Sequence, residues 1–293
     1  MNDQALPPSL LSKLRCHRCR GSDFVVGDLH LQCGSCRAEY PVVDGRFPDF
    51  LSEEQRSALQ KELDFWEGHC GDTVYESESE ASYARWAGLV EAGPGDEVIE
   101  LGCGSGALLR RLPAGLRVGL EPVQGLLTAT QGFSGVIGAV EDLPFQDECF
   151  DIVYFNYSLH HVVDKELGLA EAARITRPGG RLIVIEPNGD HPQRRLVSNP
   201  DSRLRRCRLL VGFIGQVESF FSADDIIRLS RGREIQVERL IYQDNMNART
   251  TFRDRLQRLY AILARPFLPE NFIQPTFFLS FRKTGSDSRH PAR

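Results

Sequence analysis

Long apolar runs are missing from this chain of 293 residues. No stretch reaches the roughly 18 consecutive apolar residues that a membrane-spanning helix requires. The opening MNDQALPPSLLSKLRC also lacks an apolar core of signal-peptide length, so a cytoplasmic location is the expectation. A dominant charge of one sign is absent too: 35 Lys and Arg stand against 40 Asp and Glu, a formal net charge of -5. That balance excludes a molecule whose overall field is built to hold nucleic acid. It leaves local basic patches, at Arg15, Arg18, Arg20 and Arg37 and again from Arg194 to Arg208. No internal repeat is evident. What is present is ordinary globular material, 41% hydrophobic and 26% charged, enough for a large core without cross-links. The length allows one large domain beside a small one.

Eight cysteines divide into two groups. Cys70, Cys103, Cys149 and Cys207 are scattered, whereas Cys16-x-x-Cys19 and Cys33-x-x-Cys36 form two pairs separated by thirteen residues. Paired thiols at this spacing in a reducing compartment point to a metal before they point to disulfides. Two such pairs at the ends of a short hairpin suit tetrahedral zinc, and four thiolates make the site closed and structural. With the following Ala-Glu-Tyr-Pro-Val-Val-Asp-Gly, the segment resembles the small zinc-ribbon activator proteins that partner tRNA, rRNA and release-factor methyltransferases, here fused in cis. That resemblance implies that residues 1–51 are a ribbon packed on a catalytic domain.

The remaining organisation follows from periodicity. Residues 52–93 read as a helical linker and substrate cap: Ser52-Glu53-Glu54 opens an amphipathic helix, and TVYESESEASY is a polar link or flap. From residue 94 to 284 the strands EVIEL, RVGLE, GVIGA, DIVYFNYS, RLIVIEP, IQVERLIY and TFFLSFRK alternate with helical segments, ALLRRL and SADDIIRLSRG among them. That alternation predicts an α/β fold with a doubly wound, mainly parallel sheet of seven strands. Arg177-Pro178-Gly179-Gly180 reads as a turn that stops a helix ahead of the fifth strand. Insertions are expected at 188–233 and 244–275, and a disordered tail at 285–293.

Glu100-Leu101-Gly102-Cys103-Gly104-Ser105-Gly106 directly follows the first of these strands. Glycines at alternate positions let the backbone turn tightly and approach a ligand. Dinucleotide sites favour G-x-G-x-x-G, whereas G-x-G-x-G after an acid better fits a ligand without a pyrophosphate. Glu121 ends the next strand about 20 residues on, where an α/β fold places an acid on a ribose diol.

The motifs VIELGCGSG, VGLEP, VEDLPFQDECFDIVYFNYSLHHV and RITRPGGRLIVIEP, in that order, resemble the class I S-adenosylmethionine methyltransferases, notably the group with the ubiquinone and menaquinone enzymes. The resemblance implies a Rossmann-like methyltransferase fold and S-adenosylmethionine as cofactor. It assigns Glu100, Gly102, Cys103, Gly104 and Gly106 to the loop holding the methionine part and Glu121 to the ribose. Val140, Glu141 and Asp142 then border the adenine, and Asn156 lies beside the sulfonium. Many relatives carry an acid where Ala139 stands, so the adenine contact falls to Glu141, Asp142 or backbone.

Methyl transfer from a sulfonium mainly needs an oriented acceptor and excluded water, with a base where the acceptor loses a proton. His160, His161 and Glu186 are the candidate bases at the carboxyl edge of the sheet. Trp66, Tyr75, Tyr83, Tyr157 and Phe220 are candidate pocket residues, equally suited to core packing. LLVGFIG and the helix TFRDRLQRLYAIL suggest a lid for a hydrophobic acceptor. The leading expectation is methylation of a small, lipophilic or natural-product acceptor on O, N or C. Two alternatives stand beside it: an RNA methyltransferase docking through its arginines, and a non-catalytic cofactor-binding scaffold.

Overall fold

A computed structural model of the chain describes residues 6–68, 80–128, 132–192, 194–195, 220–243 and 259–285. Two sheets carry the architecture. After a short helix α1 (Pro8–Leu11), strands β1 (Phe24–Val26), β2 (His30–Cys33), β3 (Glu39–Val43) and β4 (Phe47–Pro48) form an antiparallel sheet in chain order. Both cysteine pairs sit in turns of one design. Cys16 O accepts from Arg20 N at 2.8 Å and Cys33 O from Arg37 N at 2.9 Å. Each turn then passes through an arginine in the left-handed region, with φ 64° at Arg20 and 61° at Arg37. Such residues are uncommon outside glycine and bend the chain sharply.

Helix α2 (Glu53–Glu67) has the reciprocal cap that its opening anticipates: Ser52 Oγ accepts from Gln55 N, and Gln55 Oε1 accepts from Ser52 N. Helix α3 (Glu80–Val90) takes in the end of the polar segment. Residues 69–79, Tyr75 among them, lie outside the described residues. So do LLVGFIG, residues 196–208 of the basic run from Arg194 to Arg208, the start of the final inserted helix and the tail from 286.

The larger sheet has seven strands in the order β10-β11-β9-β8-β5-β6-β7. They are β5 (Glu97–Leu101), β6 (Leu116–Leu120), β7 (Ser134–Val136), β8 (Phe150–Asn156), β9 (Thr176–Pro187), β10 (Ile235–Gln243) and β11 (Thr276–Lys283). Strands β5 to β9 pair parallel, and β11 runs antiparallel between β9 and β10. The chain moves outward from β5 through β6 and the short helix α4 (Gln124–Thr128) to β7 and then restarts at β8 on the other side of β5. Open α/β sheets bind ligands at this switch, outside the carboxyl ends of the two central strands.

Both faces of the sheet are covered, which is why its strands read as nearly continuous apolar runs. Along β8 and β9, Val153, Phe155, Leu182 and Val184 join one apolar layer, while Ile152, Tyr154, Ile183 and Ile185 join the other with Trp86 of α3. The first layer also holds α5 (Lys165–Ile175) and α6 (Ala223–Leu229) together with Leu10, Leu14, Leu31 and Phe50 from the cysteine-bearing segment. Ribbon and sheet therefore share one core.

Two local expectations are corrected. ALLRRL is not an α-helix; it forms only a 3-10 turn at Leu109–Arg111, because Pro113 forces Leu112 into an extended conformation and β6 begins at Leu116. The RPGG segment lies inside β9 and not ahead of it. Thr176 pairs with Phe150 and Arg181 with Ile152, so residues 177–180 bulge out opposite Asp151 alone, with Gly179 at φ 75°. Arg177 Nη1 holds the Asp151 carboxylate at 2.7 Å across the bulge.

Phe155 is fully buried in β8 between parallel neighbours. Phe155→Ala is expected to lower unfolding free energy by about 3–5 kcal/mol in a denaturant titration; a loss under about 1 kcal/mol would contradict this packing.

Candidate functional site

At the end of β5 the chain passes through Gly102, Gly104 and Gly106, with φ of 68°, 51° and 66°. All three occupy the left-handed region that favours glycine, but their surroundings differ. A Cβ on Gly102 would lie 2.7 Å from Ser158 Cβ, and one on Gly106 2.2 Å from the Phe133 ring. A Cβ on Gly104 would meet nothing within 4 Å. Gly102 and Gly106 thus let protein parts close on each other, whereas Gly104 presents bare backbone to open space. Cys103 is buried in the room left by Gly119, where an added Cβ would come within 2.6 Å of its Sγ.

Two buried acids flank this loop. Glu121, just past β6, accepts from Gly104 N at 2.8 Å and from Val123 N at 3.1 Å. Burial nevertheless pushes its carboxyl up to about 7. Glu100, on β5, is pushed up to about 8 by burial, against the opposing effect of the Tyr154 hydroxyl at 2.9 Å and of Asn156. Asn156 Oδ1 is buried without a hydrogen-bond partner. Raised carboxyls and an orphan carbonyl oxygen at one sheet edge suit a cationic ligand that donates hydrogen bonds. These residues fit S-adenosylmethionine.

The end of β8 supplies a third group. Tyr157 adopts φ 54° and turns the chain along the carboxyl edge, and its hydroxyl lies 3.3 Å from Thr276 Oγ1. Ser158 Oγ donates to Leu101 O at 2.6 Å, tying this turn to the glycine loop. His160 Nδ1 lies 2.6 Å from Glu186 Oε2, and Glu186 Oε1 accepts from Leu159 N at 2.7 Å. The structure therefore joins two of the candidate bases into one buried pair. His161 packs edge-on to Trp66, with ring centroids 5.6 Å apart. Burial, then His160, then Lys165 depress its pKa to about 3, so it is neutral and a poor base.

Residues 99–184 match the family described as methyltransferase domain. Residues 99–184 therefore carry a methyltransferase domain. Among curated proteins it is 42% identical over 98 residues to a demethylmenaquinone methyltransferase of Mycobacterium sp. (strain JLS), covering 32% of this chain and 43% of that protein. A demethylmenaquinone methyltransferase of Symbiobacterium thermophilum is 28% identical over 182 residues, 57% of this chain and 67% of its own length. The chain thus spans less than half of the first of these relatives. Among solved structures, one chain of a complex between the Haloferax volcanii Trm112 methyltransferase activator and a methyltransferase covers 76% of this chain and 98% of its own. Its identity is 18% and its TM-score 0.53. A SAM-dependent methyltransferase from Thermotoga maritima covers 78% and 99%, with 18% identity and a TM-score of 0.51. Both agree with the methyltransferase domain in fold.

Other predicted site residues take different places in the methyltransferase domain. Val140 is buried in the core beside Gly168 of α5. Glu141 Oε1 accepts from Val163 N at 2.8 Å and Asp164 N at 3.2 Å, and Asp142 pairs with Arg20 at 3.0 Å. These contacts occupy the Glu141 and Asp142 side chains. Tyr83 sits in the apolar layer with Trp86 and Val90, under the Arg111 guanidinium at 4.4 Å, and Tyr157 borders the same layer. Ser158 and Tyr154 were not singled out in the sequence. Ser158 adjoins the histidine pair without any spacing rule to mark it, and Tyr154 reads simply as an apolar strand position.

The four cysteines of the N-terminal sheet converge as well. Their Sγ atoms lie within 4.8 Å of one another, with Cys16 and Cys36 at 3.6 Å and Cys19 and Cys33 at 3.6 Å. One tetrahedral ion with Zn–S near 2.3 Å sets S–S separations of about 3.8 Å, so the donor set fits zinc.

Two outcomes follow for the ligand-free protein. Gly106→Ala, strained in φ and pressed on Phe133, should lose about 1–3 kcal/mol of stability by thermal or chemical denaturation; an unchanged midpoint would contradict the packing. Glu100 and Glu121 hold protons more tightly in the fold than at their ordinary 4.5. The native state therefore binds more protons than the unfolded chain between about pH 4.5 and 8, and stability falls as pH rises through that window. Glu100→Gln and Glu121→Gln should each flatten that decline; an unaltered pH profile would show that neither carboxyl is held as described.

Proposed function

We propose that the protein transfers the methyl group of S-adenosylmethionine to a small, lipophilic acceptor, and that His160 with Glu186 removes the acceptor's proton. The observation that carries this reading is the His160–Glu186 pair, buried at the carboxyl edge one short turn from the glycine loop. When bound, S-adenosylmethionine supplies a methyl group activated by the sulfonium charge for in-line displacement. Gly104 admits the ligand against bare backbone, and Glu121 accepts hydrogen bonds from the sugar. Glu100 and the free Oδ1 of Asn156 serve the cationic half. The main chain around Val140 to Asp142 borders the base.

His160 Nδ1 is committed to Glu186, which leaves Nε2 to take a proton, and the Glu186 carboxylate balances the charge that then forms on the imidazole. The Leu159 N–H fixes Glu186 in that orientation. Glu186 therefore acts through His160 and is a positioning residue. The demethylmenaquinone relatives support a quinol-type acceptor, whose ring carbon must release a proton as it gains the methyl group. Trp66, packed beside His161, would give such a ring an apolar wall. In the same reading Cys16, Cys19, Cys33 and Cys36 hold one structural zinc. The RNA alternative is weakened because Arg15 and Arg20 are engaged by Asp147 and Asp142.

The test is transfer of labelled methyl from S-adenosylmethionine to demethylmenaquinone, with bulk tRNA in parallel. Label is expected in the quinone. His160→Ala should lower kcat by about 10²- to 10⁴-fold, with S-adenosylhomocysteine affinity retained. Label in tRNA alone, or full turnover by His160→Ala, would overturn the reading.

A further inference from the structure

The segment 137–146, which follows β7 and carries Ala139 to Asp142, is held by the cysteine-bearing ribbon. Ile137 N donates to Pro48 O and Phe50 N to Ile137 O, both at 2.9 Å. Arg15 N donates to Pro144 O at 2.9 Å and Gln146 N to Lys13 O at 2.8 Å. Among the described residues, every main-chain hydrogen bond from this segment to the main chain of another part of the protein goes to the ribbon. The remaining supports come from side chains: Glu171 and Arg174 of α5 bind the backbone of Leu143 and Phe145.

Side chains add a contact at Asp142. Asp142 Oδ1 is 3.0 Å from Arg20 Nη1, and Asp142 Oδ2 is 3.6 Å from His17 Nδ1. His17 lies between the two cysteines of the first pair, and Arg20 follows the second of them at φ 64°. Arg20, which holds Asp142, and His17 beside it are therefore both set in the turn that a bound metal would close. Leu59 and Leu63 of α2 pack with Val123 and Ala139, so the segment is held by that helix as well as by the ribbon.

We propose that the ribbon positions this segment for the cofactor, so that metal in the four-cysteine cluster and cofactor in the crevice bind cooperatively, with Arg20 and Asp142 as the coupling contact. The proposal rests on the reading of the crevice as the cofactor site. Linkage is reciprocal for binding free energies. Whatever factor zinc adds to cofactor affinity, cofactor must add to zinc affinity.

The experiment uses the full, zinc-loaded chain titrated with S-adenosylhomocysteine, the nonreactive product. Arg20→Ala is expected to weaken binding three- to tenfold and Arg20→Lys less than twofold. Asp142→Asn should match Arg20→Ala, and the double variant should lose no more than either alone. In competition with a chromophoric chelator, saturating S-adenosylhomocysteine should tighten zinc binding in the wild type and do so less in Arg20→Ala. Stripping zinc endangers the shared core, so these zinc-retaining variants decide the matter. Wild-type affinity in Arg20→Ala and Asp142→Asn, or zinc affinity indifferent to S-adenosylhomocysteine, overturns the coupling. Glu121→Ala keeps the two failures apart: if it binds weakly while Arg20→Ala binds normally, the crevice reading stands and the coupling falls. If Glu121→Ala also binds normally, the crevice reading itself falls.

Discussion

The hydrogen bond from the Gly104 N–H to the buried Glu121 carboxylate is the contact on which the rest of the site depends. It ties the loop after β5 to the end of β6, and it can form only because Gly104 adopts φ 51° and Gly119 leaves room beneath for Cys103. The Ser158 hydroxyl draws the end of β8 against the same loop from the other side. Three neighbouring strand ends thus converge, and the His160–Glu186 pair is carried to the crevice as a consequence. Glu121 is retained there although burial opposes its charge. A carboxyl kept at that disadvantage marks a place where ligand, more than folding, sets the residue.

The second organising constraint is the shared core. Leu10, Leu14 and Phe50 are buried with the residues of β8 and β9, and Asp49 pairs with Ile137 beyond the edge strand β7. An uncovered edge strand presents unpaired backbone groups. Here the cysteine-bearing sheet covers that edge, and the backbone after β7 is completed by another part of the same chain. The ion pairs of Lys13, Arg15 and Arg20 with Glu97, Asp147 and Asp142 surround the joint. Of the ribbon arginines that look basic in the sequence, Arg15 and Arg20 serve this contact.

The strand pattern was legible because residues buried on both faces leave apolar runs of strand length, and the glycine loop because its φ values demand glycine. The twin cysteine pairs were legible because two C-x-x-C turns at this spacing bring four Sγ atoms together. The helix expected at ALLRRL failed because Pro113 and the start of β6 allowed it too little length. RPGG was misplaced because a bulge and a turn use the same residues, and only strand pairing separates them. His160, His161 and Glu186 were equivalent on paper; the pairing across 26 positions that selects two of them is a tertiary fact. Likewise, nothing in VEDLPF reveals that Asp142 faces Arg20 across 122 positions.

Calorimetric titration with S-adenosylmethionine at pH 7, in two buffers of different ionisation enthalpy, bears most directly on the crevice. A cation settling beside carboxyls that still hold protons near neutrality should bind one per chain and release protons to the buffer. Absence of binding, or binding with identical heat in both buffers, would contradict the placement of the cofactor against Glu100 and Glu121.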